Sequence, residues 1–225
     1  MPTVFSRLAT IQPTHEEKKD AVLRLIDESS PTGGFYIMLM CATVIVAVGL
    51  MIGNAAIVIG GMLVSPLLAP LLSLALGMAM GDKQVILRSI WIIFVTSAFV
   101  FLVSWFMSFF MNFESVNREI VSRIEPSLAY LVVALFAGIA GSFSYIKPTM
   151  NVILPGVAIA IAVLPPLAVS ALGLSLGDTD ILFGALSLYL VNLVGIVLAS
   201  LVVFATFGFY PLRRRAEMEI KKEVK

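Results

Sequence analysis

The 225-residue chain predicts an all-α fold. The expected architecture is a polytopic membrane helical bundle of six spans, built as two inverted three-helix repeats with Pro-broken central helices. Three observations carry that expectation. The chain is 60% apolar and 13% charged, against about 45–50% and about 25% in soluble domains, and a soluble globule of this size cannot hide so much apolar surface. Five charge-free runs, residues 29–81, 89–113, 126–146, 148–177 and 181–212, are each long enough for the roughly 20 residues a membrane helix needs. Finally, residues 70–82 (PLLSLALGMAMGD) and 166–178 (PLAVSALGLSLGD) match at seven of 13 positions with a constant offset of 96.

The elements follow in order. Thr14-His15-Glu16-Glu17 has the form of a capping box, opening a helix whose Ala21, Val22, Leu25 and Ile26 form one apolar stripe. That stripe suits either a helix lying at the membrane surface or one packed on the protein's own loops. The first 30 residues are otherwise polar, without the pattern of a signal peptide. The 53-residue first run must hold two spans, 35–52 and 55–80, turning at Gly53-Asn54. Spans 86–112, 127–145, 150–176 and 181–209 complete six. The organisation expected is a cytoplasmic segment (1–30), a first membrane repeat (31–113), an external loop (114–126), a second repeat (127–210) and a basic cytoplasmic tail (211–225).

Lysine and arginine set the orientation. With both termini inside, thirteen of the 15 basic residues fall on the inner side, and only Arg118 and Arg123 fall outside. This is the positive-inside pattern of an inner-membrane protein. An odd number of spans per half then places Asp82 inside and the matching Asp178 outside. The repeat is therefore expected to be inverted, as in many secondary transporters.

Each central span carries prolines: Pro66 and Pro70 in the first, Pro155, Pro165 and Pro166 in the second. A proline inside a helix removes a backbone hydrogen bond, and unpaired backbone at membrane depth is tolerated only against protein or a wet cavity. The expected substrate site lies between the two breaks, shaped by Ser65, Pro66, Pro70, Pro155, Pro165 and Pro166. Carbonyls near Leu63, Val64 and Leu164 are available for a cation, or half-helix amides for an anion. Asn54 and Asn151 stand where each broken segment begins, as solute contacts or as plain helix caps. The alternative for the whole feature is a pair of kinked helices that bind nothing.

No Asp, Glu, Lys, Arg or His lies deep in a span, which weighs against a carboxylate proton relay and against an intramembrane enzyme. No cofactor or metal is expected, and one cysteine, Cys41, excludes an internal disulfide. The expected partners are the lipid bilayer, an unidentified small solute or ion, and further copies of the chain; the faces Gly49-x-x-x-Gly53, Gly77-x-x-x-Gly81 and Gly173-x-x-x-Gly177 suit close packing either within one chain or between chains. Nucleic acid is not among them.

Residues 54–70 (NAAIVIGGMLVSPLLAP) and 155–168 (PGVAIAIAVLPPLA) resemble the two signatures of the hydrophobic-domain membrane proteins termed domain of unknown function 389. The resemblance covers roughly residues 21–210 and implies a prokaryotic integral membrane protein. It implies no substrate. A soluble N-terminal region found in many relatives has no counterpart in this reading, so its role is not carried over. The function expected is transport of a small solute or ion through a midplane site, with a channel or a non-transporting membrane scaffold as alternatives.

Overall fold

The computed structural model describes residues 12–111, 113, 115–147, 149–150 and 163–210. Among them are helices α1 (His15–Glu28), α2 (Gly33–Met51), α3 (Ala55–Val64), α4 (Leu68–Met80), α5 (Lys83–Phe110), α6 (Arg118–Val121), α7 (Leu128–Ile146), α8 (Leu164–Leu176) and α9 (Thr179–Thr206), and no strand. Four of them, α2, α5, α7 and α9, are long and apolar enough to cross a membrane, and α3 with α4 forms a fifth candidate bent by 53°. The chain is a multi-pass membrane protein by the length and composition of these helices. Of the expected span 150–176, residues 151–162 lie outside the described residues, and with them Asn151 and Pro155.

Three pairs of described helices match in length. Both α2 and α7 have 19 residues, α4 and α8 have 13, and α5 and α9 have 28. Both ends of α4 and α5 recur in α8 and α9 at the offset of 96 read from the sequence. Packing follows the same exchange. Within each half, α4 lies on α5 and α8 on α9; between halves, α4 lies on α9 and α8 on α5.

One local device joins successive helices three times. In each Gly-x-x-x-Gly sequence the second glycine ends the helix at positive φ: Gly53 at 69°, Gly81 at 64° and Gly177 at 69°. The next residue, Asn54, Asp82 or Asp178, donates its N–H back to the carbonyl of the first glycine at 2.9, 2.9 and 3.0 Å, the closure of a Schellman motif. The same residue's Oδ1 then accepts two N–H groups of the following helix. The first glycine lets the two helices close: a Cβ on Gly49, Gly77 or Gly173 would meet Val58 N, Val85 Cγ1 or Leu182 N at 2.9, 2.9 or 2.6 Å. These glycines thus build hairpins within the chain.

The capping box forms at α1, with Thr14 N–H to Glu17 Oε2 at 2.7 Å and Glu17 N–H to Thr14 Oγ1 at 3.2 Å. Ala21, Val22, Leu25 and Ile26 are buried where α1 packs on α4 and α7. The apolar stripe is therefore covered by the protein's own helices and does not face lipid. Arg88 of α5 locks the end of α1, donating to Ser29 Oγ (2.9 Å), Ser30 Oγ (2.9 Å) and Ile26 O (3.2 Å).

Candidate functional site

Contacts fix where each helix runs. Helix α2 begins at the α1 end of the bundle, and α3 returns along it, Gly49 beside Val58 and Gly61 beside Val46. Helix α4 ends at the α1 end, hairpinned onto the start of α5, with Ser73 and Ser89 hydroxyls 3.1 Å apart. At the opposite end, Asn117 donates to Leu50 O at 2.6 Å, and Gly184 of α9 lies against Ile124 O. Helix α8, hairpinned onto the start of α9, therefore runs toward that opposite end. Helices α4 and α8 leave the interior in opposite directions.

Their starts meet inside. A cavity of about 10 Å³ is lined by Leu67, Pro70, Leu71, Ile93, Thr96, Ser97, Val163 and Tyr189. Leu67 and Val163 are the N-caps of α4 and α8, and they are 96 residues apart. Ile93 and Tyr189 are another such pair, each the eleventh residue of a 28-residue helix. The cavity is thus lined by two pairs of residues at the offset of 96, near the middle of α5. Ser97 and Tyr189, both in its lining, share a hydroxyl–hydroxyl bond of 2.6 Å. Its volume is that of about one water molecule.

Neither α4 nor α8 has a side-chain cap, and buried helix starts leave N–H groups without partners. The prolines answer that problem. Pro70 is the third residue of α4, and Pro165 and Pro166 are the second and third of α8. Each removes an N–H that the first turn could not have satisfied. The expectation that these prolines interrupt helix interiors is corrected accordingly: they sit in first turns, where a proline costs little.

A second, larger hollow reaches the α3–α4 break from the α1 end. It measures about 440 Å³ and is lined by Asp27, Glu28, Thr32, Phe35, Met38, Leu63, Ser65, Pro66, Leu68, Ala69 and Tyr145, among others. Glu28 accepts from Tyr145 OH at 2.5 Å and pairs with Arg24 at 3.6 Å. The break arises because α3 ends at Met62–Ser65, where Ser65 N–H closes a tight turn on Met62 O at 3.2 Å, and Pro66 follows.

The expected site residues divide. Leu63, Ser65 and Pro66 line the large hollow and Pro70 lines the small cavity. Val64 packs against the hydrophobic core. Leu164, Pro165 and Pro166 are buried at the start of α8, with their neighbour Val163 facing the cavity instead. Asn54 is a helix cap at the opposite end of the bundle, outside both hollows. Asn151 and Pro155 lie outside the described residues. Leu67, Ile93, Thr96, Ser97 and Tyr189 were not singled out as site residues. The offset of 96, carried on into α5 and α9, is the signal that finds two of the pairs.

Comparison with known proteins places the chain. Residues 62–198 match the family described as Domain of unknown function (DUF389). The chain belongs to the DUF389 family. This DUF389 chain is also 33% identical, over 97% of its own length and 71% of the relative's, to "Uncharacterized protein MJ0678" of Methanocaldococcus jannaschii. No solved structure matches it. The family match begins at Met62, three residues before the α3–α4 break, and spans both cavity-lining helix starts.

Proposed function

We propose that the protein carries a small solute or ion across the membrane through the junction of α4 and α8. In this reading the six spans form two inverted three-helix halves, with both termini on the cytoplasmic side of the cell membrane, and the halves rock about the junction. The observation that carries the proposal is the cavity itself, lined by the offset pairs Leu67/Val163 and Ile93/Tyr189 where two oppositely running half-helices start. The equal helix lengths of the two halves and the exchange of packing partners support the inversion. The 440 Å³ hollow beside Pro66 supplies access from the α1 end. The small size of the cavity, about 10 Å³, favours a carrier with alternating access over an open channel.

The same reading assigns no catalytic step and no cofactor. It keeps self-association as an expectation, since α5 presents Trp91, Phe94, Leu102, Phe106 and Phe110 outward, a face available to lipid or to a second copy.

The test is flux into liposomes holding the purified protein, with a panel of ions and small neutral solutes. Leu67→Trp fills the cavity. The proposal expects flux above protein-free liposomes that the Leu67→Trp protein loses while remaining folded. Absence of any specific flux, or flux indifferent to Leu67→Trp, would overturn it.

A further inference from the structure

We infer that the half of the route leading away from α1 runs between α5 and α8, that Ser104 and Ser170 line it, and that it passes a small uncharged solute able to donate and accept hydrogen bonds. The inference rests on the transport reading above and adds the solute class and the residues that handle it.

The hydroxyls of Ser104 and Ser170 are wholly buried and have no hydrogen-bond partner among the described residues. A helical serine or threonine ordinarily escapes this by bonding its own helix. Thr43 does so to Leu39 O, Thr96 to Ile92 O, Ser108 to Trp105 O and Ser142 to Gly138 O. Ser200, the residue 96 positions after Ser104, reaches Gly138 O at 3.1 Å. An unpaired buried hydroxyl is costly, and such groups in native proteins call for an explanation.

Their placement supplies one. Ser104 follows Ser97 by seven residues on α5, and Ser170 follows Val163 by seven on α8. Ser97 and Val163 both line the small cavity. Seven residues is nearly two helical turns, only about 20° short, so Ser104 and Ser170 continue the same two faces about 10 Å further along. The two helices pack on each other and run the same way from the cavity. Two unpaired hydroxyls thus lie about two turns beyond the Ser97–Tyr189 pair.

The chemistry selects the solute. A hydroxyl both donates and accepts, so a pair of them replaces the water around a neutral polar molecule. The buried residues of α5 are Val85, Ser89, Ile92, Thr96, Val100, Ser104 and Ser108, with no ionisable group to offset the cost of a bare ion at that depth. Anions gain little from the start of α8, because Pro165 and Pro166 have removed two of its first three N–H groups.

The experiment uses the full chain in liposomes with glycerol and urea as neutral probes, followed by swelling, and potassium and chloride as ionic probes, followed by fluorescence. The variants are S104A, S170A and the double substitution. S187A is the control, since its hydroxyl is exposed and bonded to Phe183 O. The expected result is that the wild type and S187A speed equilibration of glycerol or urea. The double variant should lose roughly tenfold, about the worth of one net hydrogen bond, with an unchanged or raised melting temperature. Neutral-probe flux equal in the double variant and the wild type would overturn the inference. So would a lowered melting temperature, because it would mean the hydroxyls have partners. Flux of ions without neutral probes would overturn it while leaving the transport reading standing. Flux of neither would overturn both.

Discussion

Leu67 and Val163, 96 residues apart, cap the starts of two half-helices and line one cavity. Neither brings a polar atom to its helix start. Prolines just inside each helix reduce the number of stranded N–H groups, by one of the first three in α4 and two of the first three in α8. The prolines thus act on hydrogen-bond accounting at helix starts rather than as kinks.

That explanation has a measurable consequence. Replacing Pro166 by alanine restores an N–H in the first turn of α8, a helix start that no side chain caps. The change should destabilise the protein by about 1–3 kcal/mol, read as a lowered melting temperature in detergent. A proline strained in a helix interior would give the opposite sign, because its removal would relieve about 3 kcal/mol.

The hairpin device predicts a ranking. A Cβ on Gly173 would sit 2.6 Å from the backbone nitrogen of Leu182, whereas on Gly77 it would meet the Val85 side chain at 2.9 Å and Ile86 N at 3.1 Å. Side chains shift more readily than backbone. Gly173→Ala should therefore cost more than Gly77→Ala, both within or somewhat above the roughly 1–3 kcal/mol of overpacking. Thermal unfolding of the two variants decides the order.

Asp82 is wholly buried, yet its role is to cap Gln84 N–H and Val85 N–H through Oδ1. Asn54 performs the same task with an amide. Asp82→Asn should then be tolerated, while Asp82→Ala should lose about 0.5–2 kcal/mol. If the two variants unfold at the same temperature, capping is not what the residue contributes.

The docking of α1 should depend on pH. The Glu17 carboxyl lies below its usual range, first through the Thr14 N–H and then through the Lys147 side chain, which is 3.0 Å away. A carboxylate with a lowered folded-state pKa contributes in full above its unfolded value, and loses that contribution as pH falls through the folded one. Hydrogen exchange in α1 should accelerate relative to α7 on acidification through that range. Glu17→Gln should show the faster exchange already at neutral pH and little further change.

The helix boundaries were legible in the sequence because charges and the Gly-x-x-x-Gly pairs punctuate it. Residues 70–82 and 166–178 gave the offset that the helix lengths repeat. The inward face of α5 was not legible. In a soluble helix the apolar side marks the core, but here lipid and core are both apolar, and what distinguishes the inner face is hydroxyls: Ser89, Thr96, Ser104 and Ser108. Asn54 was legible down to two readings, solute contact or helix cap, and its bonds to the Ala56 and Ile57 amides decide for the cap.

The central claim is that the two halves lie in the membrane upside down relative to each other. Single cysteines at Lys83 and Thr179, each just after its hairpin cap, placed in a Cys41→Ala background and treated in intact cells with a membrane-impermeant maleimide, test it most directly. The account predicts that Thr179→Cys is labelled from outside and Lys83→Cys only after the membrane is opened. Labelling of both from the same side would contradict it.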